Sequence, residues 1–396
     1  MNHISKVIFL LLTLIFITNF VYSLYNVQSR KKRSGTKTDT ELINFPVRWC
    51  LYLEPGKRYN QYLDVNITLI QLAVTKFQDR SCLQFVQEAN CPAGDVKFPL
   101  IKFVGDLKNK INNYHFNYQS KVQNPYEIKV EYNCNKRVGC IIKKLLAYMG
   151  FFMTQRRIDR DQYITVNNDY ILDHYKNDYE KIDKDYDLAN TGYDYGSVMH
   201  ASKFYGKNYS RGDTFNINPE QYELMVGQEY GLSFNDYKIV NYRYCSEKCP
   251  NKLSCKNGGF QSPEGCKYCE CPNGYKGNLC EEIEESSLGC GDNKLSASSD
   301  LKVLTFNGRR KCNVLITANV GRKIEIKVND LRVPTFNPCF ENHGLEIKYR
   351  ADKSLTGLCL CMVANDVTVT SENNEVFIQY NGDGTTHLAK IEYREI

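Results

Sequence analysis

The seventeen cysteines in 396 residues constrain the fold more than any other feature of this sequence. Six are spread over residues 34–248, six are crowded into 249–280, and five lie in 290–396. Such heavy cysteine usage behind an export signal is typical of disulfide-bonded extracellular proteins. Because the total is odd, at least one thiol is unpaired or joins another chain. Two explanations of the odd cysteine are therefore open: a disulfide-linked dimer, or an unpaired buried cysteine.

The first 33 residues have the pattern of an export and processing segment. Residues 1–23 carry a basic start, an apolar run and small residues at the end, which predicts a signal peptide. A membrane anchor is the alternative, but the apolar run is shorter than the about 20 residues that span a bilayer. Residues 24–33 end in four basic residues and are predicted to be a short prosegment with a processing site. We therefore expect a secreted, extracellular chain whose mature form has no membrane span.

The overall charge gives no reason to expect nucleic acid as a partner. The chain has 51 Lys and Arg against 45 Asp and Glu, a net charge of +6. Five of the basic residues lie in residues 1–33, which contain no acid, so the remainder carries about +1. The basic excess therefore belongs to removable segments.

Residues 249–282 are too short to bury a core and need covalent cross-links. Their six cysteines, with Asn257-Gly258-Gly259 and Gly274-Tyr275 between them, resemble an EGF-like module. We interpret it as a spacer. The resemblance implies the pairs Cys249–Cys266, Cys255–Cys269 and Cys271–Cys280.

Residues 290–396 alternate apolar and polar positions between turn residues, which predicts an all-β sandwich. Cys290-Gly291, Cys312, Cys339 and Cys361 in this setting resemble a CUB domain. That resemblance implies the pairs Cys290–Cys312 and Cys339–Cys361 and leaves Cys359 as the odd thiol. Some CUB domains bind calcium, but His343 stands at one acidic position and Asp383 alone supplies too few oxygens.

Four stretches of residues 34–248 carry a further resemblance. They surround Cys82, run from Gly150 to Ile164 and from Tyr193 to His200, and end at Cys245. Together they resemble the astacin family of zinc metallopeptidases, of the nematode type with EGF-like and CUB modules. The resemblance implies an α+β metzincin-like two-subdomain protease scaffold for 34–248, closed by a Cys82–Cys245 disulfide. It also implies a metalloendopeptidase activity.

The zinc-binding pattern of that family is replaced in this sequence. The family uses H-E-x-x-H-x-x-G-x-x-H, in which three His bind zinc and the Glu is the general base. A Met-containing turn lies beneath the metal, and a Tyr after it adds a ligand. With Gly150-Phe151 as anchor, the replaced positions are Lys143, Lys144, Ala147, Met153 and Ala201, and Met199 of the turn is retained.

A shifted alignment does not restore the pattern. The chain has six His, none between His115 and His174, and no H-x-x-x-H. We therefore predict no catalytic residues, no metal and no cofactor for this domain. Protonated lysine has no lone pair to offer a cation. Lys143 and Lys144 either fill the former cation position or, as we favour, reach solvent from an open cleft.

The remaining predictions concern packing and modification. A helix over 68–80 should bury Leu69, Leu72, Ala73 and Phe77, and a second should bury Ile142, Leu145, Leu146 and Met149. Asn66 and Asn208 lie in glycosylation sequons. The pairing of Cys50, Cys91, Cys134 and Cys140 is left open.

Three functions remain open. The first is a catalytically inactive astacin-like protein that binds an extracellular peptide or protein. The second is an active zinc endopeptidase, as family resemblance alone implies. The third is a structural extracellular matrix component. A peptide-binding cleft would separate the first from the third.

Overall fold

The computed structural model describes residues 46–53, 64–92, 94, 96–107, 124–182 and 191–396. The predicted signal peptide (1–23) and prosegment (24–33) lie outside the described residues. Within the described ranges, no helix is both long and apolar enough to cross a membrane.

The first half of the N-terminal domain is a parallel sheet covered by two helices. The strand order is β2-β1-β3-β4, and every neighbouring pair is parallel. The helices α1 and α2 pack against each other. The elements are β1 (Val47–Leu51), α1 (Ile67–Asp79), β2 (Phe85–Gln87), β3 (Leu100–Asp106), β4 (Tyr126–Glu131) and α2 (Val138–Tyr148).

Helix α1 forms close to where its periodicity predicted it. The Asn66 side chain caps its start by accepting a hydrogen bond from Thr68 N at 3.1 Å. Its buried residues are Ile70, Ala73, Val74 and Phe77. The expectation that Leu72 is buried is wrong, since Leu72 is 43% exposed on the opposite side of the helix.

Helix α2 is buried on all sides rather than along one stripe. Ile142, Leu145, Leu146 and Met149, at the C-terminal cap, are buried as expected. The residues between them are buried as well, from Gly139 to Tyr148. A helix that is covered all round must satisfy every polar side chain internally.

The second half of the domain contains short 3₁₀ turns, the antiparallel pair β5 (Ile164–Val166) and β6 (Phe215–Ile217), and helix α3 (Phe234–Tyr244). Ser233 and Asp236 form a capping box at the start of α3. This half supplies the turn that contains Met199.

Residues 249–283 form two small two-stranded sheets held by disulfides. The first pairs β7 (Phe260–Gln261) with β8 (Cys269–Glu270). The second pairs β9 (Tyr275–Lys276) with β10 (Glu282–Ile283). A segment with so little secondary structure depends on its three cross-links for stability.

Residues 290–396 form a sandwich of two five-stranded sheets, as the alternation predicted. One sheet has the order β11-β13-β19-β15-β16 and the other β12-β20-β14-β17, with β18 also paired to β14. Inward positions such as Ile326, Val328, Ile378 and Ile391 are fully buried. The strands are β11 (Lys294–Ser296), β12 (Lys302–Asn307), β13 (Arg310–Thr317), β14 (Ile324–Arg332), β15 (Gly344–Lys348), β16 (Leu358–Leu360), β17 (Val363–Ala364), β18 (Val367–Thr370), β19 (Glu375–Gly382) and β20 (Leu388–Glu395).

The disulfides follow the implied pattern with one exception. Four cysteines had no partner assigned from the sequence, and the structure pairs Cys50 with Cys91 and Cys134 with Cys140. The pairs that match the implied ones are Cys82–Cys245, Cys249–Cys266, Cys255–Cys269, Cys271–Cys280 and Cys290–Cys312.

The implied Cys339–Cys361 disulfide is the exception, because both residues are free thiols in the structure. Their side chains lie beside each other. Cys359, the expected odd thiol, is also free and only 1% exposed. Its burial favours an unpaired core cysteine over a cross-link to a second chain.

The β-sandwich packs directly on the N-terminal domain. Thr356 Oγ1 donates to Asp194 Oδ2 at 3.3 Å, and Arg350 Nη1 donates to the Tyr193 carbonyl at 2.6 Å. A Cβ on Gly196 would come within 2.6 Å of Thr356, so the two segments approach too closely there for any side chain. The two domains therefore share an interface next to the turn that contains Met199.

Candidate functional site

The start of α2 is fixed by a loop from the other half of the domain. Gly139 N donates to the Glu229 carbonyl at 2.9 Å. A Cβ at Gly139 would lie 2.3–2.4 Å from the backbone of Glu229, so only glycine fits. This contact also brings the Glu229 carboxylate to the first turns of the helix.

Lys143 is buried and paired with that carboxylate. Its side chain is 4% exposed, and Nζ lies 3.3 Å from Glu229 Oε1. Arg137, at the start of the helix, contacts Glu229 Oε2 at 2.6 Å. Burial lowers the pKa of the Lys143 ammonium, and the Glu229 carboxylate opposes that shift. One carboxylate is thus shared by two cations.

Lys144 makes a separate buried ion pair with the sheet. Its Nζ lies 3.0 Å from Oε2 and 3.1 Å from Oε1 of Glu131, the last residue of β4. The two side chains are 7% and 11% exposed. Burial lowers the pKa of Lys144, whereas Glu131 and the more distant Asp106 raise it. The pair joins α2 to the sheet.

The expectation that both lysines reach solvent is therefore wrong. Each ammonium lies within the domain, opposite a carboxylate that sequence spacing did not connect to it. The physical reason is that an ammonium without a counter-charge could not stay buried at this depth. The structure thus places two fixed cations, each with an anionic partner, at the helix positions where the zinc-binding pattern is replaced.

The other replaced positions and the retained Met199 lie in a close-packed core. Ala147, Met153, Met199 and Ala201 are buried in one hydrophobic cluster. Gln155 connects them, because its Nε2 donates to Met153 Sδ at 3.2 Å and its Oε1 accepts from Ala201 N at 3.2 Å.

The turn that contains Met199 is held by hydrogen bonds from both sides. Thr154 N donates to the Met199 carbonyl at 3.0 Å. On the far side, Ser197 Oγ and Val198 N donate to the Asp236 carboxylate at 2.6 and 2.8 Å. Burial, with the charge of Asp194, raises the pKa of Asp236 to about 6 although these donors lower it.

His200 follows Met199 and is fully buried. Its Nδ1 lies 2.8 Å from the Ala201 carbonyl, so Nδ1–H donates, and Nε2 accepts from the Tyr193 hydroxyl at 2.8 Å. Burial, together with the nearby Lys143 charge, lowers its pKa to about 4, and the hydrogen bond to the Ala201 carbonyl opposes this shift. A neutral imidazole with both nitrogens engaged is a structural group here.

A small cavity of about 40 Å³ lies between α2, the turn and α3. Its lining includes apolar Leu146 and Phe151 and polar Asp194 and Asn235. The Asn235 Oδ1 atom is buried with no hydrogen-bond partner. A cavity of this size is large enough for a water molecule, which the polar groups on its wall could bind.

The side chains at these positions do not fit zinc. Zinc sites in proteins use neutral imidazole, thiolate or carboxylate ligands. Ammonium groups offer no lone pair, and alanine offers no ligand atom. Over the part of the chain that the structure describes, no group of three or more His, Cys, Asp or Glu is arranged to hold a metal.

Sequence reasoning missed the partners that define this site: Glu131, Glu229, Gln155 and His200. Glu131 and Glu229 lie 13 and 86 positions from their lysines. No local sequence pattern connects such distant positions. For Glu131 one signal was present: an acidic residue ends a strand shortly before an apolar helix that contains two lysines.

Comparison with known proteins identifies the N-terminal domain. Residues 57–245 match the family model for astacin, which describes a peptidase family. The chain is 29% identical over 357 residues to zinc metalloproteinase nas-34 of Caenorhabditis elegans. That match covers 89% of this chain and 56% of nas-34. It is 32% identical over 276 residues to nas-37 of the same organism, covering 68% and 35%.

Among solved structures, high choriolytic enzyme 1, a hatching enzyme zinc-protease of Oryzias latipes, matches 54% of this chain and 93% of that chain with 21% identity and a TM-score of 0.40. The matches span about half the length of the first curated relatives, between 34% and 63%.

The scaffold of residues 57–245 is that of a metallopeptidase domain. By its match to the family model and to nematode zinc metalloproteinases, this segment is an astacin-family domain.

Proposed function

We propose that this chain is a secreted astacin-type protein that binds extracellular peptides or proteins without hydrolysing them. The observation that supports the proposal is the pair of buried ion pairs, Lys143–Glu229 and Lys144–Glu131. They occupy the helix positions at which the family carries its first zinc-binding His and its catalytic Glu.

Electrostatics argues against a metal beside these groups. Two ammonium charges repel a divalent cation, and the repulsion is strongest where water is excluded. Glu131 and Glu229 are the nearest carboxylates, and each is already engaged by a lysine. A zinc ion would have to displace an ammonium from its carboxylate and would still lack its histidines.

The burial of the replaced positions also bears on where a partner binds. Lys143, Ala147, Met153 and Met199 are at most 5% exposed, so a bound peptide cannot contact them. We infer that recognition uses the outer surfaces of the molecule, including the loops of the domain that resembles CUB. The EGF-like segment acts as a spacer.

Secretion and glycosylation belong to the same proposal. Seven disulfides are formed among the described residues, which suits an oxidising compartment. At Asn208, Oδ1 accepts from Ser210 Oγ at 2.7 Å at the surface, a geometry compatible with glycan attachment. Asn66 caps α1 in the second sequon.

The alternative function is zinc-dependent proteolysis, which the names of the similar nematode proteins favour. It requires metal ligands other than the family's own. A purely structural role in the extracellular matrix is the third candidate, and a specific protein partner would argue against it.

Metal content and proteolysis test the proposal directly. The secreted full chain is treated briefly with a weak chelator, analysed for zinc, and incubated with a denatured protein substrate. We expect no stoichiometric zinc and no cleavage. One zinc per chain, with cleavage that a strong chelator abolishes, would overturn the proposal.

The matched variant restores the family pattern: Lys143→His, Lys144→Glu, Ala147→His and Met153→His. Glu131→Gln and Glu229→Gln are added, because both carboxylates lose their ammonium partners in this variant. We expect zinc binding to return in the variant alone. If the folded variant binds no zinc, the region around α2 has lost more than its ligands.

A further inference from the structure

The segment 224–231, which we call the strap, connects the β-sandwich with α2. Two hydrogen bonds from the sandwich hold its first residues. The Cys339 amide donates to the Leu224 carbonyl at 2.7 Å, and the Cys359 amide donates to Met225 Sδ at 3.1 Å. Cys359 belongs to β16, the edge strand of its sheet, so the strap begins against that edge.

The other end of the strap makes an aromatic contact with the sandwich. The Tyr230 ring stacks on Phe340, with the ring centroids 4.0 Å apart and an angle of 18° between the planes. Phe340 packs in turn on His343, with centroids 4.0 Å apart, in the loop that precedes β15. An aromatic pair depends on the distance and angle of its rings, so a movement of that loop releases Tyr230.

Between these two ends, the strap holds the start of α2. The Glu229 carbonyl accepts from Gly139 N at 2.9 Å, and Glu229 Oε1 lies 3.3 Å from Lys143 Nζ. Glu229 directly precedes Tyr230 in the chain, and the planar peptide between them leaves little freedom. A displacement of Tyr230 is therefore transmitted to the carboxylate that faces the Lys143 ammonium.

The sandwich also contacts the point at which the middle of the strap is anchored. Gln228 Nε2 donates to the Gly196 carbonyl at 3.0 Å, and Gln228 Oε1 accepts from Tyr230 N at 2.9 Å. Thr356 of the sandwich packs so closely on Gly196 that no Cβ fits there. The sandwich thus bounds the strap at both ends and at its anchor.

The second buried ion pair of α2 depends on a different part of the fold. Lys144 Nζ lies 3.0 Å from Oε2 of Glu131, which ends β4. Strand β4 is paired in register with β3, so the sheet fixes this carboxylate. Two adjacent lysines on one helix therefore have partners on two independent supports, the strap and the sheet.

We propose that the strap is a latch through which the β-sandwich controls the state of α2. When the sandwich loop that contains Phe340 leaves Tyr230, the strap carries Glu229 away from α2 and the Lys143 ammonium becomes exposed to solvent. The Lys144–Glu131 pair stays closed in this opened form. The sandwich is thus more than an appended module, because it decides whether one of the two buried charges stays buried.

The physical basis is the cost of an unpaired charge in the interior. A buried ammonium that loses its carboxylate is strongly destabilised, so Lys143 follows its partner into solvent or draws water to itself. Proteins open locally in cooperative units whose free energies lie below that of global unfolding. The strap, with its sandwich contacts, is such a unit, whereas Glu131 lies in a paired strand and opens only with the sheet.

The test uses the accessibility of the two lysines in the full secreted chain. Wild type and Phe340→Ala are treated briefly with an N-hydroxysuccinimide ester of acetic acid, and the acetylated fraction of each lysine is measured by peptide mass spectrometry. Fragment ions distinguish the adjacent Lys143 and Lys144. We expect Lys143 to be acetylated about tenfold faster in Phe340→Ala than in the wild type, and Lys144 at an unchanged rate.

The matched control is Phe204→Ala, which removes a ring of the same size from the surface of the N-terminal domain. Phe204 is 49% exposed and contacts Lys203 and Lys207, outside the strap. We expect wild-type acetylation rates at both Lys143 and Lys144 in this variant. The proposal is overturned if Phe340→Ala leaves Lys143 as protected as it is in the wild type, or exposes both lysines equally.

A measurement on the wild type decides the question if Phe340→Ala does not fold. Acetylation of the full chain is followed at increasing urea below the unfolding transition. We expect Lys143 to become reactive at a lower urea concentration than Lys144, because the latch opens before the sheet does. Simultaneous exposure of the two lysines, or earlier exposure of Lys144, would show that the strap is not a separate unit.

Discussion

Two regions of the N-terminal domain face each other across one core and differ in what is left of the astacin pattern. The turn around Met199 keeps its methionine and a full set of hydrogen bonds from Thr154, Ser197 and Val198. Helix α2 keeps its apolar packing, but the two lysines on it are paired with Glu131 and Glu229. The turn thus has the methionine of the family pattern, whereas the helix carries two ion pairs where that pattern has a His and a Glu.

The difference separates packing from reactivity. The apolar residues of α2 support the core that the turn also needs. The two lysines can lie in that core because each ammonium has a carboxylate partner. In this domain the ion pairs connect α2 to the sheet and to the loop that contains Glu229, at the positions where the family pattern places its first zinc-binding His and its catalytic Glu.

The largest effect is expected from breaking the α2-to-sheet ion pair. Glu131→Ala removes the carboxylate that faces the buried Lys144 ammonium and should cost about 3–5 kcal/mol of unfolding free energy. Urea unfolding followed by the fluorescence of Trp49, the single tryptophan, measures this. The matched double variant Glu131→Leu with Lys144→Met should lose much less. Equal losses in the two variants would show that packing, and not charge, dominates there.

An intermediate effect is expected from acid at the turn. The pKa of His200 is about 4 in the folded domain against 6.5 as its ordinary value. Because the folded pKa is the lower one, the contribution of His200 to stability is complete above pH 6.5 and is lost as the pH falls to 4. The loss should be about 3 kcal/mol. The unfolding free energy of the wild type should fall more steeply between pH 6.5 and pH 4 than that of His200→Gln. Parallel pH dependences in the two proteins would contradict a buried neutral imidazole.

The smallest effect is expected at Met199 itself. If this methionine only fills space, Met199→Leu conserves volume and should cost less than about 1.5 kcal/mol. Thermal or urea unfolding of the variant, beside a Met153→Leu control in the same core, measures this. If Met199→Leu loses much more unfolding free energy than Met153→Leu, Met199 contributes more than the filling of space.

The sequence predicted much of the fold because its signals are local or covalent. Alternation indicated the strands of the sandwich, and the resemblance to an EGF-like module implied the cross-links of 249–280. The periodicity of α1 located the helix but misplaced Leu72, because helical spacing shows which residues share a face and not which face the fold covers. The implied Cys339–Cys361 bond is not formed in the structure, where both thiols are free.

By itself, the sequence determined that the three histidines and the glutamate of the zinc-binding pattern are missing, since absence does not depend on how the chain folds. Only the tertiary structure decided what took their place. Local spacing suggested two lysines in an open cleft, whereas the folded chain brings Glu131 from a strand end and Glu229 from a distant loop against them. The attraction between two charges depends on their distance in space and not on their separation in sequence. The carboxylate that pairs with a buried ammonium is therefore identified only in the folded chain.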